Sequence, residues 1–79
     1  MKVKVLGSGC KKCKELEKRI HNVIDEYGID ASVEKVTDMV KIASYNVMNT
    51  PAVVIDEKVV SSGKLLKEKD ILLLLQANK

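Results

Sequence analysis

Two cysteines, Cys10 and Cys13, enclose Lys11 and Lys12, and the chain holds no others. A bridge between residues so close in sequence closes a tiny loop and restrains the unfolded chain little. The pair is therefore better read as chemistry than as a staple. The chemistry of paired thiols is disulfide exchange, in which a thiolate attacks a disulfide sulfur. Placement decides which thiol attacks. Cys10 falls at the expected start of a helix, where unpaired N–H groups and about half a positive charge favour an anion. Lys11, Lys12 and Lys14 add positive charge there. Cys10 is thus expected to titrate below an ordinary thiol and to act as nucleophile, with Lys11 and Lys12 tuning it. Cys13, one turn later and partly covered by the helix, is expected to resolve the mixed disulfide formed on Cys10.

Two other readings of the pair stay open. One is a metal-handling module that binds a soft metal ion through both thiolates. Copper-carrying heavy-metal-associated domains have a similar size and a Cys-x-x-Cys after their first strand, but carry Met two residues before the first Cys, where this chain has Ser8. They also end on a strand, whereas this chain is expected to end on a helix. A tetrahedral zinc site needs four ligands, and beyond the two cysteines the chain offers one distant His21. His21 lies off the apolar stripe of its helix and reads as a solvated side chain, so no metal ligand is assigned. The other reading is an inert pair. Redox exchange is preferred over both, because the pair follows a strand and opens a helix.

The surrounding pattern supplies those elements. Lys2 to Leu6 alternates as a strand does, and Gly7-Ser8-Gly9 breaks it. Cys13, Leu16, Ile20, Val23, Ile24 and Tyr27 then recur at helical spacing, with Lys11, Lys14 and Lys18 on the opposite side. Gly28 suits the helix end, so a helix is expected over 11–27. A second strand is expected over 31–36. A short helix capped by Thr37 or Asp38 should run to about Tyr45. Pro51 keeps the preceding residue out of a helix. Ala52 to Ile55 and Lys58 to Ser61 read as a hairpin. Asp56-Glu57 is the expected turn, with a longer loop as the alternative, because Glu57 stands where a tight primed turn favours glycine. Tyr27 and Tyr45 are expected to pack at helix ends. A last helix is expected over about 68–77. The order β-α-β-α-β-β-α predicts a four-stranded mixed sheet with helices on both faces, in one domain spanning 1–79.

Composition narrows the function further. The 79 residues are 46% hydrophobic and 32% charged, a globular balance. The longest uncharged apolar run, Ile71 to Leu75, is too short to span a bilayer, so no membrane association is expected. Two Tyr and no Phe or Trp make a base-stacking platform a poor fit, and a net charge of +3 demands no nucleic acid. That charge favours mildly acidic partners. Met1 to Leu6 alternates rather than forming a continuous apolar stretch, so a signal peptide is not expected and a cytoplasmic location is. Leu72 and Leu73 lie off the buried side of the last helix and are the candidate patch for a weak dimer of an otherwise monomeric protein.

The sequence resembles the small thioredoxin/glutaredoxin-type redox-active disulfide proteins of archaea and bacteria. The resemblance rests on GSGCKKC after a strand, on NTPAVVID with Thr50-Pro51 before the third strand, on Ser62-Gly63 after the fourth, and on the element order. It implies a thioredoxin-like three-layer α/β fold and dithiol–disulfide exchange with protein substrates through Cys10 and Cys13. It further implies a cis Thr50–Pro51 bond facing the disulfide, with the Thr50 backbone offered to an extended substrate segment. No cofactor is implied beyond the Cys10–Cys13 disulfide, which a reductase or a low-molecular-weight thiol would reduce again. The Trp that precedes the first cysteine of thioredoxins is Gly9 here, and their buried acid aligns near Lys4.

Overall fold

Alternation in two central strands sorts the apolar side chains into two cores. In strand β1 (Lys2–Leu6), Val3 and Val5 point to one face, and Lys4 and Leu6 to the other. In β3 (Ala52–Ile55), Val53 and Ile55 join the first face, and Ala52 and Val54 the second. All four residues of β3 are buried, as expected for a strand covered on both sides. The computed structural model describes residues 1–7, 9, 11–47 and 49–77.

The remaining elements are helix α1 (Lys11–Tyr27), β2 (Ser32–Val36), α2 (Met39–Ser44), β4 (Lys58–Ser62) and α3 (Glu68–Ala77). The sheet order is β2-β1-β3-β4. β1 and β2 run parallel, as a β-α-β crossover requires. β3 is antiparallel to both β1 and β4. Helices α1 and α3 cover the first face. Leu16, Ile20 and Val23 from α1, with Ile71 and Leu75 from α3, close the larger core over Val3, Val5, Val53 and Ile55. Helix α2 covers the second face, where Ile42 packs with Leu6, Val36, Ala52 and Val54. The result is the expected thioredoxin-like three-layer α/β arrangement. Each such fully buried side chain is worth about 1.5–3 kcal/mol of apolar burial.

Local signals set most boundaries. α1 ends where the Ile29 N–H donates to the Ile24 carbonyl, 3.0 Å, just past Gly28. Asp38, rather than Thr37, caps α2, its carboxylate accepting from the Val40 N–H at 2.8 Å. β2 begins at Ser32 instead of Ala31, and β4 extends through Ser62.

The turn falls at Asp56-Glu57 as expected and the longer alternative is not taken, while two other expectations are corrected. The hairpin loop is two residues long, since Ile55 pairs with Lys58. Asp56 and Glu57 both adopt positive φ, 47° and 69°. Such conformations are costly for residues with a Cβ, and tertiary bonds offset that cost. The Lys2 N–H donates to Asp56 Oδ1 and the Asp56 N–H to the Lys2 carbonyl, both at 2.9 Å. The Glu57 carboxylate accepts from Lys4 and Tyr45. Tyr27 is 55% exposed rather than packed, because the buried stripe of α1 stops at Val23 with Ile24 half-covered. Leu72 is partly buried against the larger core, which leaves Leu73 as the exposed leucine of α3 and removes the two-residue patch.

Candidate functional site at the end of the first strand

Three segments meet at Gly7. The Gly7 N–H continues the β1–β2 ladder by donating to the Val36 carbonyl at 3.0 Å. Gly7 is buried, and its missing side chain is what lets α1 approach. A Cβ placed there would collide with Cys13 Sγ, and would lie 3.2 Å from Cys13 Cβ and 3.8 Å from Thr50 Cβ. Cys13 and Thr50 thus both approach the side of Gly7 that a side chain would occupy. Sequence reasoning treated Gly7 only as a strand breaker. The GSG run marked the turn, but the close approach depends on where α1 lands on the sheet.

Cys13 is 5% exposed and begins the buried stripe of α1. Cys10, assigned as the nucleophile, lies outside the described residues. Lys11 and Lys12 occupy the exposed side of the first turn of α1. Gly9 has φ 86°, a left-handed conformation that glycine takes without a Cβ penalty, and this turns the chain from strand to helix.

The second wall of the site is the 49–51 loop. The Thr50–Pro51 peptide bond is cis. Pro51 is fully buried while Thr50 is exposed, so the ring anchors the loop and leaves the threonine accessible. The loop is braced by the end of the hairpin. The Gly63 N–H donates to the Pro51 carbonyl at 2.9 Å. Gly63 has φ 71°, and a Cβ there would lie 2.8 Å from Asn49 Cβ. This explains the Ser62-Gly63 signal: close packing against the proline loop needs a residue without a side chain. The structure therefore brings Cys13, Thr50 and Pro51 to one place, with Lys11 and Lys12 at its rim.

Lys4, on the central strand, faces α2 and closes a network that sequence reasoning did not identify. Its ammonium donates to Glu57 Oε1 at 2.8 Å and to the Tyr45 hydroxyl at 3.0 Å. The Tyr45 hydroxyl donates in turn to Glu57 Oε2 at 3.0 Å. The Glu57 bond, seconded by Tyr45, holds Lys4 well above the ordinary lysine range. The same bonds, Lys4 first, hold the Glu57 carboxyl below the usual carboxylate range. The network ties β1, the end of α2 and the hairpin turn together. His21 is exposed beside Glu17, Nε2 to Oε1 3.7 Å, on the outer side of α1. Among the described residues, no three His, Cys, Asp or Glu side chains cluster closely enough to hold a metal ion. No helix among them is long and apolar enough to cross a membrane.

The charges of α1 run against its own dipole. Its first turn holds three lysines and no acid, and its last turn holds Asp25 and Glu26 and no base. A charge at the wrong end of a helix costs about 0.3–1 kcal/mol at an exposed site. The lysines at the rim therefore do not serve helix stability.

The sheet order, the strand–glycine–helix turn and the proline loop beside a buried thiol are those of one known fold family. The profile of the thioredoxin domain matches residues 1–76. The chain is similar to a thioredoxin of Methanocaldococcus jannaschii, with 36% identity over 69 residues covering 87% of this chain and 79% of that protein. It is also similar to a thioredoxin of Methanothermobacter thermautotrophicus, with 31% identity over 71 residues covering 90% of this chain and 92% of that protein. This chain belongs to the thioredoxin family, whose general activity is thiol–disulfide exchange.

Proposed function

We propose that the protein reduces protein disulfides through Cys10 and Cys13. The observation that carries this reading is Cys13 buried one turn into α1, against the Gly7 backbone and beside the Thr50–Pro51 loop. A buried thiol that shares its pocket with an exposed backbone segment is suited to resolve a disulfide held there, and poorly suited to attack first.

The steps balance as follows. The Cys10 thiolate attacks one sulfur of the substrate disulfide. A Cys10–substrate disulfide forms, and the other substrate sulfur leaves as a thiolate that takes a proton. Cys13 then loses its proton and attacks the Cys10 sulfur. The Cys10–Cys13 disulfide forms, and the second substrate thiol departs. Two electrons and two protons pass to the substrate. A reductase dithiol or a low-molecular-weight thiol restores the reduced pair. Thr50 supplies backbone to an extended substrate segment across the pocket, and Pro51 keeps that backbone presented.

The test is trapping. Cys13→Ser should accumulate a mixed disulfide with a protein substrate such as insulin, detected as a mass adduct released by dithiothreitol. Cys10→Ser should accumulate none and should not turn over. Equal trapping by both variants would overturn the assignment of roles. Failure of the wild-type protein to turn over any disulfide with dithiothreitol would overturn the activity.

A further inference from the structure

The charge of this molecule is concentrated in one short stretch. Residues 11–19 carry five basic and two acidic side chains, an excess equal to the net +3 of the whole chain. The other seventy residues are balanced, with nine of each sign. Within the stretch, Glu15 is engaged by Arg19, Nε to Oε1 3.2 Å, and Glu17 by Lys35 and His21. Lys11, Lys12, Lys14 and Lys18 are exposed and make no ion pair or side-chain hydrogen bond among the described residues.

These four lysines share a shallow groove of about 470 Å³ with Glu15 and Leu65. The far wall of the groove is held in place. Arg19 Nη1 donates to the Leu66 carbonyl at 2.9 Å, and both Leu65 and Leu66 pack against the larger core. The segment after β4 is thereby fastened along α1, with Leu65 half-buried as an apolar floor. The groove begins at the first turn of α1, the turn that carries Cys13 on its buried side, and follows the exposed side of the helix outward.

We propose that this groove docks an acidic protein partner of the redox site. The proposal rests on the disulfide-exchange reading above and names the kind of protein that it serves. Lysines at the N-terminal end of α1 oppose the helix dipole, so helix stability does not account for their charge, and Lys18 lies beyond the turn that carries the thiols. The opposite end of α1 carries Asp25 and Glu26, followed by Asp30. A helix of this length separates the two ends by about 25 Å. An acidic partner is therefore attracted to the thiol end and repelled from the other, which orients the encounter as well as speeding it. Nucleic acid fits less well. Among the described residues no aromatic side chain lines the groove, Tyr27 stands at the far end of α1, and Tyr45 is engaged by Lys4 and Glu57.

The test uses three disulfide peptides of equal length, flanked by glutamates, serines or lysines, with dithiothreitol as reductant. The probe variant is Lys18→Glu, which leaves the three first-turn lysines beside the thiols untouched. The wild type should reduce the glutamate-flanked peptide about tenfold faster than the lysine-flanked one at low salt, with the gap closing as salt rises. The variant should lose at least half of that preference, and should reduce the serine-flanked peptide at the wild-type rate. Unchanged preference in the variant, or equal loss on all three peptides, would overturn the docking proposal. Binding of a single-stranded oligonucleotide that the variant loses, without any change of peptide preference, would overturn it in favour of nucleic acid. Wild-type turnover of the serine-flanked peptide keeps the exchange reading separate. Without that turnover the enzyme reading itself fails.

Discussion

Gly7 is expected to reject even a methyl group, because of Cys13. In Gly7→Ala the new Cβ falls on Cys13 Sγ and stands 3.2 Å from Cys13 Cβ. Neither neighbour yields easily. Cys13 belongs to the buried stripe of α1, and Gly7 is tied to Val36 by a 3.0 Å hydrogen bond. The backbone of Gly7 lies outside the left-handed region, so the cost is steric rather than conformational. Overpacking costs about 1–3 kcal/mol, and the stiffer unfolded chain returns about 0.4–1 kcal/mol. A net loss of about 1–2 kcal/mol lowers Tm by roughly 5–15 °C in a domain of this size. The assay is thermal unfolding in dithiothreitol of the wild type, Gly7→Ala, Cys13→Ala and the double variant. Removing the sulfur opens the space that the methyl needs. The double variant should therefore be more stable than the sum of the single losses by about 1 kcal/mol, against the ~0.3–0.5 kcal/mol within which independent sites add. Gly9→Ala serves as control. Its Cβ meets nothing within 4 Å but its φ is 86°, so it should cost backbone strain alone and add independently of Cys13. Additive behaviour of Gly7→Ala with Cys13→Ala would refute the contact, as would an unchanged Tm.

Three further outcomes are expected. Glu57→Gln should destabilise the protein at neutral pH. Because the folded-state value of Glu57 is lowered, the wild-type advantage is present above the ordinary carboxylate range and is lost as pH falls through that lowered value. Urea midpoints of the two proteins should therefore converge in acid, and a gap that widens there would refute the network. Lys4 is raised, so its share is present below the ordinary lysine range and is lost only as pH rises through the raised value. Wild type and Lys4→Met should converge in strong alkali, and also in acid once Glu57 is protonated, read by the same midpoints. Lys11→Glu/Lys12→Glu should raise the thiol pKa read from thiolate ultraviolet absorbance, more at low salt than at high salt. It should also make the reduction potential more negative, because a less stable thiolate disfavours the reduced form. An unchanged titration at low salt would mean that these lysines do not reach the thiols.

Periodicity is a local property, and it was enough for the elements. The switch from alternation at Lys2–Leu6 to helical spacing from Cys13 onward located β1 and α1, and Asp38 located the start of α2. The Cys-x-x-Cys after a strand and the Thr50-Pro51 before another marked the candidate site, because both signals are carried by adjacent residues. What the sequence left open depends on residues far apart in the chain. A two-residue turn at Asp56 and Glu57 looks unfavourable by itself, and it forms because Lys2, Lys4 and Tyr45 come within bonding distance once β1 pairs with β3. Tyr27 continues the helical stripe, but the stripe extends beyond the sheet it covers, so the ring stays exposed. Leu72 sits off the stripe, but α3 lies close enough to the core to cover it.

The sequence by itself determined the strand and helix spans and the two-faced layering, and it singled out Cys10 and Cys13 as the candidate thiol pair. Each of these follows from neighbouring side chains and from the handedness of a β-α-β unit. Only the tertiary structure decided that Gly7 is the point where thiol, strand and proline loop converge, and that Gly63 braces that loop. It also decided that the lysines of α1 share a groove with Leu65. The physical reason is the same in all three cases. Backbone-to-side-chain approaches of 3–4 Å are set by how the helices and loops land on the sheet, and no local pattern encodes that landing.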